Sequence, residues 1–207
     1  MTDHLAVWLT TRQAVPWHEV PDPGPGPLIP VRDGPLHDID THDHARSPRR
    51  AAGLRTALTL LRADASAGRD LSMDLLAGWQ RHVLAEPAPL RTGPAFAKNG
   101  HERYDWHVDL RDRLDVFLAE AADGPPLPAR AARAYLDVCF HHPFADGNAR
   151  AAFLALTFIL ARAGITLDHV GPIRRVARFA DDPTGALAFA QLIATLITAA
   201  RSRTPAR

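Results

Sequence analysis

The chain has 207 residues, of which 46% are hydrophobic and 23% are charged, the balance of an ordinary soluble globular protein. Its 24 basic and 23 acidic residues nearly cancel, so no net charge exists to hold a nucleic acid or an anionic membrane. A lone cysteine, Cys139, excludes an internal disulfide and suits a reducing compartment. The amino terminus lacks the pattern of a secretory signal and the longest apolar run, 151–161, is too short for a bilayer, so we expect a cytoplasmic protein.

Residues 1–46 differ from the rest because prolines and glycines are concentrated between Pro16 and Pro35. Proline removes a backbone donor and fixes φ, so this stretch is predicted to be neither helix nor central strand. We expect a linker or an extended arm over 1–46, lying on a domain formed by 47–204. The segment His37–His44 is rich in metal-ligand side chains but matches no closed zinc site, which leaves a solvated turn or a lid over the functional site.

From Ser47 onward, apolar residues recur at helical spacing between capping and breaking residues. The predicted helices run from Pro48 to before Gly68, from Ser72 to before Pro87, over about 105–122, from near Pro128 through Val138, over about 148–163 and over about 183–201. Residues 90–104 have many turn formers and no helical period, which predicts a loop or a short hairpin. Because no alternating apolar run is long enough to build a sheet, we expect an all-α helical bundle.

The segment 140–150 joins the fourth and fifth predicted helices and is unusually rich in His, Asp, Asn and Arg. Its Asp146-Gly147-Asn148 sequence opens the fifth helix, where free N–H groups and the positive end of the helix dipole favour an anion. Gly147 lets the backbone approach a ligand. Asn148 and Arg150 add donors that suit a phosphate group. The pattern predicts an anion-binding helix start.

Two further side chains extend this site. Asp146 is a candidate ligand for a hard cation such as Mg²⁺ at the same phosphates. His142 has an ordinary pKa of about 6.5 and can accept a proton at neutral pH. Together the residues indicate phosphoryl or nucleotidyl transfer. Taken one by one, they fit a plain capping turn equally well, so the residue types alone leave both interpretations open.

The string HPFADGNAR at 142–150 resembles the signature of the Fic family, in which it lies on a loop between two helices. The resemblance is tight over these positions and loose over about 90–165. It implies a transferase that moves AMP, or another phosphate-containing group, from ATP or another phosphoanhydride donor to a hydroxyl of a protein Ser, Thr or Tyr or of a small molecule. The site residues it implies are the base His142, the Mg²⁺ ligand Asp146 and the phosphate binders Gly147, Asn148, Ala149 and Arg150.

Residues 90–104 lie where the family carries a hairpin flap that aligns the target segment by strand addition. Two positions depart from the family pattern. Ala149 stands where glycine is frequent, and Phe153 stands where a second arginine is expected to hold the outer phosphates of ATP. We expect position 153 to face the phosphates, so its change argues against a standard triphosphate pose.

No glutamate follows a Ser or Thr by four residues, so the inhibitory helix that many family members carry is also missing. The enzyme is therefore expected to use another donor or pose, or to be controlled by a separate inhibitor protein. Two alternatives stay open: a non-catalytic helical interaction module, and the toxin of a toxin–antitoxin pair. Arg174, Arg175 and Arg178 form a basic spot, which is either a solvated helix face or a landing site for a partner or for the donor's outer phosphates.

Overall fold

The computed structural model describes residues 2–203, so residue 204, where the predicted domain ends, lies outside the described residues. In chain order, the helices and strands are α1 (His4–Ala14), α2 (Gly34–Asp38), α3 (His44–Arg46), α4 (Pro48–Ser66), α5 (Met73–Leu84), β1 (Ala95–Ala97), β2 (Glu102–Tyr104), α6 (Leu110–Ala119), α7 (Leu127–His141), α8 (Asn148–Arg162), α9 (Gly171–Arg175) and α10 (Pro183–Arg203). The two strands form an antiparallel hairpin in which Ala95 pairs with Tyr104. The predicted all-α fold is confirmed, and 90–104 contains the short hairpin.

Two serine caps set the starts of α4 and α5. Ser47 Oγ accepts a hydrogen bond from Arg50 N at 3.3 Å, and Ser72 Oγ accepts one from Leu75 N at 3.3 Å. Each cap satisfies a first-turn N–H group that has no partner inside its helix. Both helices therefore begin where the sequence predicts.

The central helix of the bundle is α8, which packs against α7, α4 and α5. Every residue from 151 to 160 is buried, as the all-round apolar sequence of this helix predicts. The one polar member of that run, Thr157, donates its hydroxyl hydrogen to Phe153 O at 2.8 Å and so causes no desolvation penalty. The loop between α7 and α8 is thus attached to the most rigid part of the molecule.

The N-terminal residues depart from the predicted arm, because residues 4–14 form a helix. Asp3 caps it by accepting a hydrogen bond from Leu5 N at 3.0 Å. Trp8 is fully buried, and its indole Nε1 donates to Asp137 Oδ1 of α7 at 2.9 Å. The helix precedes the first proline of the chain, and its main partner is 129 residues away in the sequence, so local patterning did not reveal it.

The proline-rich stretch is extended in one part and helical in another. Leu28 N donates to Gly164 O at 2.9 Å, which holds the extended part against the end of α8. Residues 34–46 are helical, contrary to the prediction, with a π-helical turn at Ile39–Asp43. Pro35 permits this because it lies in the first turn of α2, where a missing N–H has no intrahelical partner to lose.

The last helix, α10, is long and apolar enough by length and composition to cross a membrane. In the described structure it packs against α7, and Phe189, Ile193 and Ile197 are buried there. These contacts assign its apolar face to the core of the bundle.

Asp137→Ala tests whether α1 is part of the cooperative fold. Asp137 is fully buried and also accepts a hydrogen bond from Arg12 Nε at 2.9 Å, so alanine removes the buried partner of this guanidinium and leaves it only Glu120, which accepts from Nη2 at 2.8 Å. Breaking such a pair typically costs about 3–5 kcal/mol, and we expect chemical denaturation to show a loss of that size. Asp123→Ala, at an exposed position, is the control. A loss for Asp137→Ala below about 1 kcal/mol would contradict the prediction.

Candidate active site

The side chain of Asn148 closes the loop between α7 and α8. Its Oδ1 accepts a hydrogen bond from Phe144 N at 2.9 Å, and its Nδ2 donates to Phe144 O at 2.8 Å. Both residues are buried, so the two bonds are shielded from water. This reciprocal pair bends the chain into a fixed turn and leaves residues 145–147 to project outward.

The same geometry changes the interpretation of Asn148. The sequence predicts it as a phosphate binder, but its amide is engaged by the backbone of Phe144. Its contribution to an anion site would come from its backbone N–H, at the first position of α8. The phosphate-binding role itself stays a prediction.

Gly147 precedes α8 in a left-handed conformation, with φ of +77°. A Cβ at this position would lie 2.3 Å from Gln80 Nε2, and that amide donates to Asp146 O at 2.9 Å. Glycine is therefore required both by the backbone angle and by the buried Gln80. No side chain of the described residues caps α8, although Asp146 Oδ1 accepts a hydrogen bond from Gly147 N at 2.6 Å, so the N–H groups left for an anion are those of the first turn of the helix.

The two charged residues of the loop lie on either side of this helix start. The side chain of Asp146 is exposed, and its Oδ2 is 3.6 Å from a guanidinium nitrogen of Arg50 and of Arg150. Arg150 is half-buried, and its Nε and Nη2 atoms make no hydrogen bond within residues 2–203, although Nη2 is the atom in ion-pair range of Asp146. Buried guanidinium donors without an acceptor indicate a place for an anionic ligand.

A cavity of about 330 Å³ opens beside the start of α8. It is strongly basic, since five arginines and one acidic residue line it. The lining residues are His42, Asp43, Arg46, Ser47, Arg50, Tyr135, Ala149, Arg150, Arg174 and Arg178. Sequence reasoning missed Arg46 and Arg50, although they flank the capping serine of α4. The segment expected to be a turn or a lid, His37–His44, is helical and supplies His42 and Asp43 to the cavity wall.

Phe153 does not face the phosphate side as expected, because its side chain is fully buried. Position 153 belongs to the part of the central helix α8 that is buried on all sides. A guanidinium nevertheless lies over its ring: the Cζ atom of Arg174, from α9, is 5.1 Å from the ring centroid. Arg174 donates from Nη2 to Asp43 Oδ1 at 3.0 Å and lies 2.6 Å from Asp38 Oδ2. A positive charge thus lies next to position 153 although the local sequence does not encode it.

His142 ends α7 in a left-handed conformation with φ of +48°. Its Nδ1 lies 3.4 Å from Cys139 O, which favours the tautomer with the proton on Nδ1 and a lone pair on Nε2. Partial burial lowers the pKa of the His142 imidazole from its ordinary value, so the ring is neutral at pH 7. A neutral imidazole with a free Nε2 lone pair can accept a proton.

The neighbouring histidine has a different environment. His141 is fully buried, its Nδ1 is 2.8 Å from Asp137 O, and burial lowers its pKa to about 4. It stays neutral inside the core, with its ring edge against Phe117. Of the two adjacent histidines, His142 alone remains partly exposed. Within residues 2–203, no cluster of three or more His, Cys, Asp or Glu side chains is placed to hold a metal ion.

Asn148→Ala tests the loop clamp. The change leaves the N–H and C=O of Phe144 buried without partners, which typically costs about 1–3 kcal/mol per group. We expect lower stability and faster amide hydrogen exchange at 144–147 than in the wild-type protein. Ala145→Ser, at an exposed position of the same loop, is the control. Wild-type exchange rates in Asn148→Ala would show that another contact holds the loop.

Comparison with known proteins points to the same family that the loop signature resembles. Residues 71–160 match the family model described as the Fic/DOC family. No curated protein matches the chain significantly. The structure of IbpAFic2 covalently tethered to Cdc42 is similar to this one, with a TM-score of 0.59 and 14% sequence identity over 93% of this chain and 70% of that chain.

Two further solved structures share the fold. Fic-1 (aa134–508) from C. elegans has a TM-score of 0.55 and 15% identity, over 97% of this chain and 73% of that one. A Fic domain containing signaling protein from Bacteroides thetaiotaomicron VPI-5482 has a TM-score of 0.51 and 15% identity, over 74% and 69%. The family match covers the segment that holds the hairpin, α7, the loop and most of α8. Residues 71–160 are therefore identified as a Fic/DOC family domain.

Proposed function

We propose that the chain is a Fic-type transferase, which moves a nucleoside monophosphate or another phosphate-containing group from a phosphoanhydride donor to a hydroxyl acceptor. One observation carries the proposal. A single loop brings a neutral histidine, an exposed carboxylate and an uncapped helix start together, beside a cavity lined by five arginines. Such a set supplies a base, charge neutralisation and an anion site for phosphoryl chemistry.

In this mechanism, His142 Nε2 removes the proton from the acceptor hydroxyl. The acceptor oxygen forms a bond to phosphorus, and the bond from that phosphorus to the leaving phosphate breaks. The N–H groups at the start of α8, with Gly147 at its N-cap, hold the charge that develops on the phosphate oxygens. Arg150, whose Nε and Nη2 make no hydrogen bond within residues 2–203, would donate to the same anion.

Asp146 fits the role of magnesium ligand because its carboxylate is exposed at the loop and, within residues 2–203, belongs to no closed cluster of protein ligands. Mg²⁺ prefers a few carboxylates together with donor phosphates and water, and when bound it neutralises charge on those phosphates. One protein carboxylate at the mouth of an anion site suits such a shared ion.

The donor's distal phosphates are proposed to enter the arginine-lined cavity. Arg174 and Arg178 line it together with Arg150, and Arg174 lies over the ring of Phe153. A guanidinium offers a planar fork that matches phosphate geometry. The loss of an arginine at position 153 therefore does not remove positive charge from this part of the site, and ATP remains among the proposed donors.

A protein hydroxyl is the proposed acceptor. The support is indirect: similar structures include IbpAFic2 tethered to Cdc42 and a second complex with adenylylated Cdc42, which has 14% identity and a TM-score of 0.58. The segment that leads into the hairpin pairs with the site loop at Leu90 and Phe144, and Tyr104 of the hairpin stacks on His142. A small-molecule acceptor is the other outcome of a screen with labelled donors followed by mass spectrometry.

The base and metal assignments are separated by two variants. His142→Ala is expected to lower transfer about 10²–10⁴-fold with little change in donor affinity, because a general base acts in the transition state. Asp146→Ala is expected to weaken magnesium-dependent donor binding, which calorimetric titration with and without Mg²⁺ measures. His107→Ala, at an exposed histidine, is the control.

Each assignment has its own contradicting result. Wild-type turnover in a folded His142→Ala protein would remove His142 from the mechanism. Equal donor affinity for wild type and Asp146→Ala, with and without Mg²⁺, would show that Asp146 does not hold the metal. A wild-type protein with no magnesium-dependent affinity for any phosphoanhydride would instead identify a non-catalytic interaction module.

Arg174→Met tests the proposed seat of the distal phosphates. A charge-assisted contact to phosphate contributes about 1.5–3 kcal/mol, so the variant should lose about tenfold or more in affinity for a nucleoside triphosphate and little for the monophosphate. Arg175→Met is the matched control, because Arg175 is exposed and does not line the cavity. Because Arg174→Met also removes the ion pair with Asp43, the thermal midpoint of each variant is measured to separate a loss of stability from a loss of affinity. An unchanged ratio of triphosphate to monophosphate affinity would place the distal phosphates elsewhere.

A further inference from the structure

A tyrosine of the hairpin lies face to face with the candidate base. The ring centroids of Tyr104 and His142 are 4.7 Å apart and their planes differ by 11°. Tyr104 ends β2 and is almost completely buried. It belongs to no part of the loop signature, and sequence reasoning assigned it no role.

Tyr104 is itself fixed from its hydroxyl end. The hydroxyl donates to Glu102 Oε2 at 2.6 Å, and Lys98 Nζ donates to Glu102 Oε1 at 2.7 Å. Burial raises the pKa of the Tyr104 phenol above its ordinary value, so the hydroxyl keeps its proton and remains a donor. The ring therefore presents a stationary face to the imidazole.

A buried arginine fastens the hairpin to the loop. Arg91 Nε donates to His142 O at 2.8 Å, and its Nη2 donates to Asp105 O at 2.7 Å and to His141 O at 3.1 Å. Its Nη1 donates to Tyr104 O at 3.2 Å. One guanidinium thus binds the backbone of both stacked residues and fixes the spacing of the two backbone segments that carry the rings.

The imidazole has little else to hold its plane. Among the described residues, the polar contact of its ring is the long one, 3.4 Å, from Nδ1 to Cys139 O, which allows rotation about the Cβ–Cγ bond. The charged groups that face it are Arg91, Glu102 and Asp146, and these act on its charge without fixing its plane. The stacked tyrosine is the group that restricts the rotation.

We propose that Tyr104 is a positioning residue for His142: the stacked phenol ring sets the plane of the imidazole and so directs the Nε2 lone pair. The catalytic consequence depends on the proposed function, in which His142 is the base, whereas the placement of the ring does not. Because Tyr104 belongs to β2, the orientation of the base depends on where the hairpin lies.

The test reads the ring placement directly by NMR of histidine side chains. In the wild-type protein, the His142 ring protons, assigned by their loss in His142→Asn, should be shifted upfield by the tyrosine ring. Tyr104→Leu should remove the shift and Tyr104→Phe should retain it. Phe158→Leu is the matched control, because it removes a buried ring that contacts Trp79 and should leave the His142 signals in place.

Turnover gives the second readout. The free energy of an aromatic stacking contact corresponds to a change of about three- to tenfold in rate. Tyr104→Leu should therefore lower kcat by that factor with little change in the donor KM. Tyr104→Phe, which keeps the ring, should have the kcat of the wild-type protein. If Tyr104→Leu does not fold, Tyr104→Met replaces it, because a methionine side chain is flexible enough to fill the space that the ring leaves in the core.

The outcomes separate this inference from the proposed function. An unshifted His142 signal in the wild type, or wild-type kcat in a folded and active Tyr104→Leu or Tyr104→Met protein, overturns the positioning role. An upfield shift that disappears in Tyr104→Leu, in a protein that transfers nothing from any donor, supports the placement of the ring and rejects the transferase.

Discussion

The two hydrogen bonds between Asn148 and the backbone of Phe144 are the contact on which the candidate site depends. They join the first residue of α8 to the middle of the loop that follows α7, the two helices at the centre of the bundle. Since both residues are buried, the loop inherits the rigidity of the core. The position of His142 before the turn and of Asp146 after it follows from this closure.

A second set of hydrogen bonds, from the Arg91 guanidinium, holds the hairpin against the loop. Arg91 is a buried cation whose hydrogen bonds go to backbone carbonyl oxygens of the hairpin and of the loop. Such an arrangement stabilises a fixed spacing between the end of the hairpin and the loop, because it satisfies backbone carbonyl groups of both segments. The face of the site that an acceptor would approach is therefore as well defined as the helix start that would bind the donor.

Charge is distributed unevenly although the chain is almost neutral. Arginines from α3, α4, α8 and α9 and the segment after α9 line one cavity, and Asp43 is the only acidic residue among its lining residues. Field lines in a concave site with low-dielectric walls are focused, so the local potential is far more positive than the net charge suggests. A net charge near zero is therefore compatible with the proposed local phosphate site.

Local chemistry in the sequence determined the helices that begin at Ser47 and Ser72, the all-round apolar α8 and the loop at 142–150, because caps, period and turn residues act within a few positions. The tertiary structure decided what depends on distant partners. It placed Trp8 on Asp137, turned Phe153 into the core, brought Arg174 over its ring and stacked Tyr104 on His142. These pairs join segments far apart in the chain, and packing, which no local pattern encodes, brought them together.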